Sequence, residues 1–257
     1  MYILPQGKRF LKNFWCISTM KQPNSAFILV GGKGERLYPL TKEVPKPLLK
    51  IGDKPILEWV VERLASYNVN KIVLGVGHLS HKLENYFGSG EKWGVNIEYN
   101  LEDGPLGTGG ALKHAEKFFD NTFIMLNGDN MIDLDYRKMF EQHKKNNAVA
   151  TLALYSVDDV SQFGVAKLDG EKIVRFIEKP PKEEAPSNLI NAGAYILERE
   201  IFDYVHSGFN LIEKTTFPRL AEAGKLFAYI HEGQWFPTDN IERLEKARKE
   251  WNPNTKN

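Results

Sequence analysis

This chain has little of several things, and each scarcity excludes a class. Its 257 residues include one cysteine, Cys16. A disulfide framework is therefore excluded, and a reducing, cytoplasmic setting is expected. There is no charge excess, with 34 Lys and Arg against 33 Asp and Glu for a net +1. A general nucleic-acid binder carries a clear basic surplus, whereas a small anionic substrate needs only a local basic pocket. No apolar run approaches transmembrane length, so no membrane partner is expected. His78 and His81 stand three apart, but no further His, Cys or carboxylate completes a zinc pattern. No Gly-x-Ser-x-Gly elbow and no cysteine–histidine nucleophile context occur. Internal repeats and low-complexity linkers are missing too. The first residues lack period, caps and the continuous apolar core of a signal peptide. Residues 1–22 are expected to be a dispensable extension, with Met20 as an alternative start, and residues 23–257 a single domain.

What is present begins with a glycine-rich loop. Ala26-Phe27-Ile28-Leu29-Val30 reads as a buried strand and runs directly into Gly31-Gly32-Lys33-Gly34-Glu35-Arg36. Glycines leaving a strand let backbone N–H groups approach a phosphate chain without interference from Cβ. Arg36 and Lys46 add positive charge, and Pro45 and Pro47 fix the backbone on both sides of Lys46. The loop is not a Walker A sequence, because no Gly-Lys-Ser/Thr follows. It is not a dinucleotide fingerprint either, because the third glycine is missing. Its chemistry is that of a polyphosphate site.

Strand-like and helix-like runs alternate from Ala26 to about Tyr155. Strands are expected at 26–30, 71–76, 95–99, 123–126 and 149–155. Helices are expected at 56–64, 79–87, 111–119 and 136–145, the last capped by Asp135. Such alternation makes an α/β protein of three layers, with a mostly parallel, Rossmann-like sheet covered on both faces. Ligands on such sheets sit at the carboxyl ends of strands. The glycine loop, Gly75-Val76-Gly77-His78 and Gly128-Asp129 all fall there and should converge. The second half adds antiparallel strands at 164–168, 172–177 and 191–197, the first two joined by the hairpin signal Asp169-Gly170. A last helix is expected from Ile241 to Trp251.

Further candidate groups stand at strand ends. Asp129 is placed to hold magnesium, which takes one or two protein carboxylates beside phosphates. Asp133 and Asp135 form an Asp-x-Asp pair of the kind used with nucleotide sugars. The helix pattern makes Asp135 a cap and Asp133 solvated. Lys179, following Phe176-Ile177-Glu178, is a point-charge partner for a second phosphate. Asp239 is either a helix cap or a second magnesium ligand, and the residues alone favour the cap.

Together these residues resemble the sugar-1-phosphate nucleotidyltransferases. The family pattern Gly-Gly-x-Gly-Thr-Arg-Leu-x-Pro-Leu-Thr followed by Pro-Lys-Pro-Leu is met at residues 31–41 and 45–48. The resemblance implies a fold like that of GT-A glycosyltransferases, and partners that are a nucleoside triphosphate and a sugar 1-phosphate, with Mg2+ as cofactor. By position, Gly31, Gly32, Gly34 and Arg36 would hold the triphosphate, with Lys46 near the reacting phosphates. Asp129 and Asp239 would hold the metal. Lys179 would bind the sugar phosphate, with Glu178, Gly164 and Asn191 on the sugar. Glu102, Gly107, Thr108 and Gly109 would lie on the base side. Two positions depart from the pattern. Glu35 replaces the usual Thr, and Trp235-Phe236-Pro237-Thr238-Asp239 replaces Trp-x-Asp-Ile-Gly-Thr, resembling cytidylyl-type members. No C-terminal β-helix of the larger members is expected, and assembly with further copies of the chain is left open.

The reaction so implied is nucleotidyl transfer to a sugar 1-phosphate. GTP is the favoured donor, because an ionised Glu102 only accepts hydrogen bonds and guanine presents two adjacent donors. CTP follows. Three alternatives stand beside it: a noncatalytic nucleotide-sugar sensor, which Glu35 keeps open; a glycosyltransferase using Asp133 and Asp135; and a cytidylyltransferase acting on a non-sugar phosphate.

Overall fold

The computed structural model describes residues 22–77 and 79–255. Expectations for residues 1–19 and for His78 lie outside them. β1 (Ser25–Leu29) leads through the glycine loop to a small hairpin, β2 (Lys50–Ile51) and β3 (Lys54–Pro55), and then to α1 (Ile56–Ser66). β4 (Lys71–Val76), α2 (Ser80–Phe87), β5 (Asn96–Leu101), α3 (Gly107–His114) and β6 (Phe123–Asn127) continue the alternation. After β7 (Asn130–Ile132) come α4 (Tyr136–Lys145), β8 (Ala150–Ser156), β9 (Gly164–Asp169), β10 (Lys172–Glu178) and β11 (Leu189–Leu197). α5 (Ile212–Glu222), β12 (Leu226–Ile230), β13 (Trp235–Pro237) and α6 (Ile241–Glu250) complete the chain.

Among the described residues, nine strands form one sheet in the order β5-β4-β1-β6-β11-β8-β12-β10-β9. β5, β4, β1 and β6 are parallel to one another. β11 runs antiparallel to β6 and β8, and β10 antiparallel to β12 and β9. The first half is thus the expected parallel sheet, and the second half supplies the antiparallel strands.

Period-two alternation sorts the core. Ala26 and Ile28 of β1, Ile72 and Leu74 of β4, and Ile124 and Leu126 of β6 face one side, packed with Leu57, Val61 and Leu64 of α1. Phe27, Val73, Phe123 and Met125 face the other, with Leu112 of α3 and Phe217 and Leu220 of α5. A third cluster, Leu37, Leu49, Ile51, Ile56, Met131, Leu244 and Ala247, seats α6 against the hairpin and β7. Among the described residues no helix is long and apolar enough to cross a membrane.

α5 and β12 were not anticipated by period. Pro218 inside α5 and the β-branched pair Thr215-Thr216 blur the helical signal. The helix stands because Ile212, Thr216, Phe217 and Leu220 are all buried. α3 also starts earlier than expected, at Gly107, and ends at His114.

A polar network ties α4 to β8 and to Glu198, the residue after β11. Fully buried His143 accepts the Thr151 hydroxyl at Nδ1 (2.8 Å) and donates from Nε2 to Glu198 (3.1 Å). Lys144 and Thr122 also donate to Glu198. Burial alone pushes this carboxyl up, but the bonds from His143, Lys144 and Thr122 outweigh it and hold it at about 2, against an ordinary 4.5. The stability so gained is present above pH 4.5 and lost as the pH falls toward 2. Glu198→Gln should therefore be less stable at neutral pH and lose less stability across that window, as read from urea melts at stepped pH. Parallel curves for the two proteins would contradict this.

Candidate active site

Backbone bonds draw three strand ends together. Val30 N–H donates to Gly75 O (3.0 Å), and Gly128 N–H donates to Leu29 O (3.0 Å). The glycine loop then turns at Gly34, whose φ of 66° lies in the left-handed region that glycine occupies without strain. The buried Thr41 hydroxyl fastens the turn by donating to Gly34 O (2.7 Å). The result is a cleft of about 480 Å3 whose walls include Gly32, Gly34, Arg36, Lys46, Asp129 and Asp239.

Arg36, Lys46, Asp129 and Asp239 are paired across this cleft. Lys46, buried in its proline-flanked turn, places Nζ 2.8 Å from Asp129 Oδ2. Exposed Arg36 reaches Asp239 Oδ2 at 3.3 Å, and Arg243 of α6 reaches Asp239 Oδ1 at 2.8 Å. Burial pulls the Asp239 carboxyl up, but the Arg243 bond and the charges of Arg243 and Lys46 outweigh it and hold it below its ordinary range. Thr238 keeps the two carboxylate-bearing segments adjacent, donating from both N–H (3.1 Å) and hydroxyl (2.7 Å) to Asp129 O. Asp239 is not the helix cap. That role belongs to Asn240, which accepts from Arg243 N–H at 2.9 Å. Among the described residues, no three His, Cys, Asp or Glu gather into a metal cage. Two carboxylates in one phosphate-sized cleft suit magnesium, which keeps waters and phosphate oxygens as its other ligands.

The residues expected on the sugar side lie on or just after β9, β10 and β11. Glu178 ends β10, and Lys179 follows with φ 50°, its N–H bonded to Phe163 O (3.0 Å) and its Nζ 3.9 Å from Glu178 Oε1. Burial, and then the charge of Glu213, push the Glu178 carboxyl up. A Cβ at Gly164 would strike the Phe176 ring and Glu178 Oε2, so glycine there leaves Glu178 its place. Asn191 is largely spent inside the fold: Nδ2 donates to Tyr195 OH (2.9 Å), and Oδ1 accepts from Gly193 N–H (3.0 Å). Asn127 borders the cleft, and its buried Oδ1 has no donor among the described residues.

Of the residues expected at the base, half-buried Glu102 lies behind the glycine loop. Its Oε1 comes within 3.6 Å of where a Cβ on Gly31 would stand and 3.4 Å of one on Gly75. Burial pushes its carboxyl up, and the Leu106 N–H partly offsets that. Thr108 lines the same cleft as Arg36 and Lys46. Gly107 and Gly109 pack instead against Asn210, whose backbone oxygen accepts from Gly109 N–H at 3.0 Å.

Residues 25–252 match the nucleotidyl transferase family. The chain belongs to that family. It is 44% identical over 217 residues to a mannose-1-phosphate guanyltransferase of Yarrowia lipolytica, covering 81% of this chain and 58% of the relative. It is 39% identical over 222 residues to a UTP–glucose-1-phosphate uridylyltransferase of Synechocystis, covering 80% and 57%. The chain thus spans less than three-fifths of the length of these curated relatives. Among solved structures, one from Bacillus anthracis, described as a glucose-1-phosphate thymidylyltransferase and bound to sucrose, superposes with a TM-score of 0.81 at 29% identity. That match covers 88% of this chain and 94% of the other. HddC of Yersinia pseudotuberculosis, complexed with GMP-PN, gives a TM-score of 0.74 at 27% identity, covering 88% and 98%.

Within this family member, the glycine loop, Arg36, Lys46, Asp129 and Asp239 converge on one cleft, and besides Asp239 a further expectation needs correcting. Asp133 is not solvated. It is buried, with Oδ1 accepting from Gln234 N–H (2.7 Å) and lying 3.0 Å from His231 Nε2. Asp135 caps α4 by accepting from the N–H groups of Arg137 and Lys138. The Asp-x-Asp pair is thereby split between two structural tasks. Two residues escaped the sequence reading: Arg243, which pairs with Asp239, and Glu213, a lone acid on the buried face of α5. That lone acid was the available signal.

Gly109 gives a test of how the cleft wall is held. A Cβ there would run into Asn210 Oδ1. Overpacking of this kind costs about 1–3 kcal/mol, so Gly109→Ala should lower Tm by roughly 3–10 °C. A melt unchanged within 1–2 °C, about the scale of a surface substitution, would mean that the 206–212 loop simply moves away.

Proposed function

We propose that this chain transfers a nucleotidyl group from a nucleoside triphosphate to a sugar 1-phosphate, giving a nucleoside diphosphate sugar and pyrophosphate. Guanylyl transfer to mannose 1-phosphate is the favoured pair. The observation that carries the reading is the convergence of Arg36, Lys46, Asp129 and Asp239 on one cleft at the carboxyl ends of the parallel strands. Family membership and relatives whose names specify nucleotidyl transfer to hexose 1-phosphates support it.

The chemistry asks for no protein nucleophile. A phosphate oxygen of the sugar 1-phosphate attacks the α-phosphorus in line. The bond to the bridging oxygen breaks, and that oxygen leaves with pyrophosphate. The attacking phosphate is largely dianionic at neutral pH, since its second pKa is about 6. Catalysis is then positioning and charge neutralisation. Glycine-loop N–H groups and Arg36 hold the triphosphate, and Lys46 faces the reacting phosphates. Lys179 holds the sugar phosphate, and Glu178 accepts sugar hydroxyls. Asp129 and Asp239 are the residues that would hold Mg2+. When bound, it supplies positive charge on the phosphate oxygens.

The existing ion pairs fit this role. Asp129 is open to solvent, so its pair with Lys46 is worth on the order of 1 kcal/mol and yields readily to a phosphate. Bonds from Lys and Arg to phosphate are charge-assisted and about twice as strong as neutral ones.

Arg36→Ala and Lys46→Ala should each reduce pyrophosphate release at least about a hundredfold with the fold intact by circular dichroism, the scale of a lost charge-stabilising donor. Near-normal turnover in either would remove that residue from the site. The base is tested by comparing kcat/KM for the four triphosphates with mannose 1-phosphate and glucose 1-phosphate, in the wild type and in Glu102→Gln. A clear preference for UTP or dTTP, or indifference to the Glu102 change, would overturn the guanylyl assignment and leave nucleotidyl transfer standing.

A further inference from the structure

Glu35 puts a negative charge on the wall of a cleft that the proposed reaction fills with anions. Its backbone is fixed from both sides. Gly34 O accepts from the Thr41 hydroxyl (2.7 Å) and from Leu37 N–H (2.9 Å), and Glu35 O accepts from Tyr38 N–H (3.2 Å). Leu37, two residues on, is fully buried. The short turn that starts at Glu35 is thereby held, and Glu35 borders the cleft with Lys33, Arg36, Lys46, Asp129 and Asp239.

These lining groups are three cations and three carboxylates, so the wall carries no net charge. Two of the carboxylates are matched. Asp129 pairs with Lys46, and Asp239 pairs with Arg36 and Arg243. Glu35 is different: its exposed carboxylate makes no hydrogen bond or ion pair among the described residues. No contact within the described fold uses this charge. It acts on whatever enters the cleft.

A nucleoside triphosphate carries about four negative charges at neutral pH, since the second pKa of its terminal phosphate is about 6. A magnesium ion on the phosphates cancels about half of that charge. Coulomb energy is proportional to the charge of the ligand, so Glu35 repels the free triphosphate about twice as strongly as its magnesium complex. Without Glu35 the wall would be net positive and would favour the more highly charged free form.

We propose that Glu35 is a specificity-determining residue that discriminates against free triphosphate, so that the species entering the cleft is the magnesium complex. The inference rests on the nucleotidyl-transfer reading above and deepens it. The magnesium complex gains Asp129 and Asp239 as ligands, and Glu35 adds a penalty that falls mainly on the free form. Arg36 and Lys46 stay in place for the reacting phosphates.

The test is calorimetric titration of GTP without sugar phosphate, so that no transfer takes place. It is run once with magnesium and once with EDTA, at about 10 mM ionic strength, where screening is weak. The readout is the ratio of the two affinities. In Glu35→Gln that ratio should fall at least about threefold, chiefly because the free triphosphate binds more tightly. Glu35→Thr should do the same, while Glu35→Asp, which retains the charge, should keep the ratio. At about 1 M salt, where the Debye length is about 3 Å, Glu35→Gln and the wild type should give the same ratio. An unchanged ratio in the Gln and Thr variants at low salt, or an equal gain for both forms of the triphosphate, overturns the proposal. CTP, UTP and dTTP are titrated in the same way, so that an error in the base is not read as an error in Glu35. A wild type that releases pyrophosphate with mannose 1-phosphate, but whose ratio is untouched by Glu35→Gln, removes only the role of Glu35. A wild type that binds no triphosphate in either form removes the functional reading as well.

Discussion

The cleft depends on how closely the carboxyl end of β1 approaches those of β4 and β6. Two backbone hydrogen bonds, Val30 to Gly75 and Gly128 to Leu29, set that distance. They are affordable only because side chains are missing where the strands meet. A Cβ at Gly128 would enter Val30, and one at Gly75 would press on the Phe27 ring. With the three ends in contact, the glycine loop from β1 and Asp129 from β6 face the same space. Glu102, just after β5, backs onto the loop from behind. The charged groups are not brought together by attraction for one another. They are carried to the same place by sheet register, and the ion pairs follow.

That distinction explains the weakness of the pairs. If Lys46–Asp129 and Arg36–Asp239 were there to stabilise the fold, each would sit in a network of several bonds, as Glu198 does with His143, Lys144 and Thr122. Instead Asp129 and Arg36 are open to solvent. Exposed pairs contribute about 0–1 kcal/mol. The exception is Arg243, which approaches Asp239 at 2.8 Å and stacks on Phe163. Asp239 is thus anchored on one oxygen and loosely paired on the other, an arrangement that keeps the carboxylate ionised and aimed while leaving one oxygen exchangeable.

Much of this was legible in the residues. Short continuous apolar runs marked β1, β4 and β6, and the ligand rule for parallel strands marked their carboxyl ends. Asp169-Gly170 marked the β9–β10 turn, where Gly170 indeed takes φ 60°. What was not legible rests on contacts between residues far apart in the chain. Asp133 looks solvated because its neighbours Ile132 and Leu134 say nothing of His231 and Gln234, which bury it from about a hundred residues away. β7 and β13 are three residues each and exist only as a pair. Asp239 and Asn240 are both good caps by type, and the choice falls on Asn240 because Asp239 already engages Arg36 and Arg243. Gly107 and Gly109 read as loop glycines for a nucleotide, yet their lack of a side chain is used by Asn210.

Lys179 shows how local strain and proposed function meet. In a strand, successive side chains point to opposite faces. Glu178 and Lys179, adjacent at the end of β10, would therefore be kept apart if the strand continued. Lys179 instead adopts φ 50°, a left-handed conformation that disfavours non-glycine residues by roughly 1–2 kcal/mol. Pro180 after it already disfavours a right-handed helical turn. The bond from Lys179 N–H to Phe163 O holds the conformation in place. Leaving the strand geometry at this one residue brings the ammonium to 3.9 Å from the Glu178 carboxylate. A sugar 1-phosphate needs that combination, an acceptor for hydroxyls and a cation for phosphate a few ångströms apart. A regular strand cannot present it from two consecutive residues.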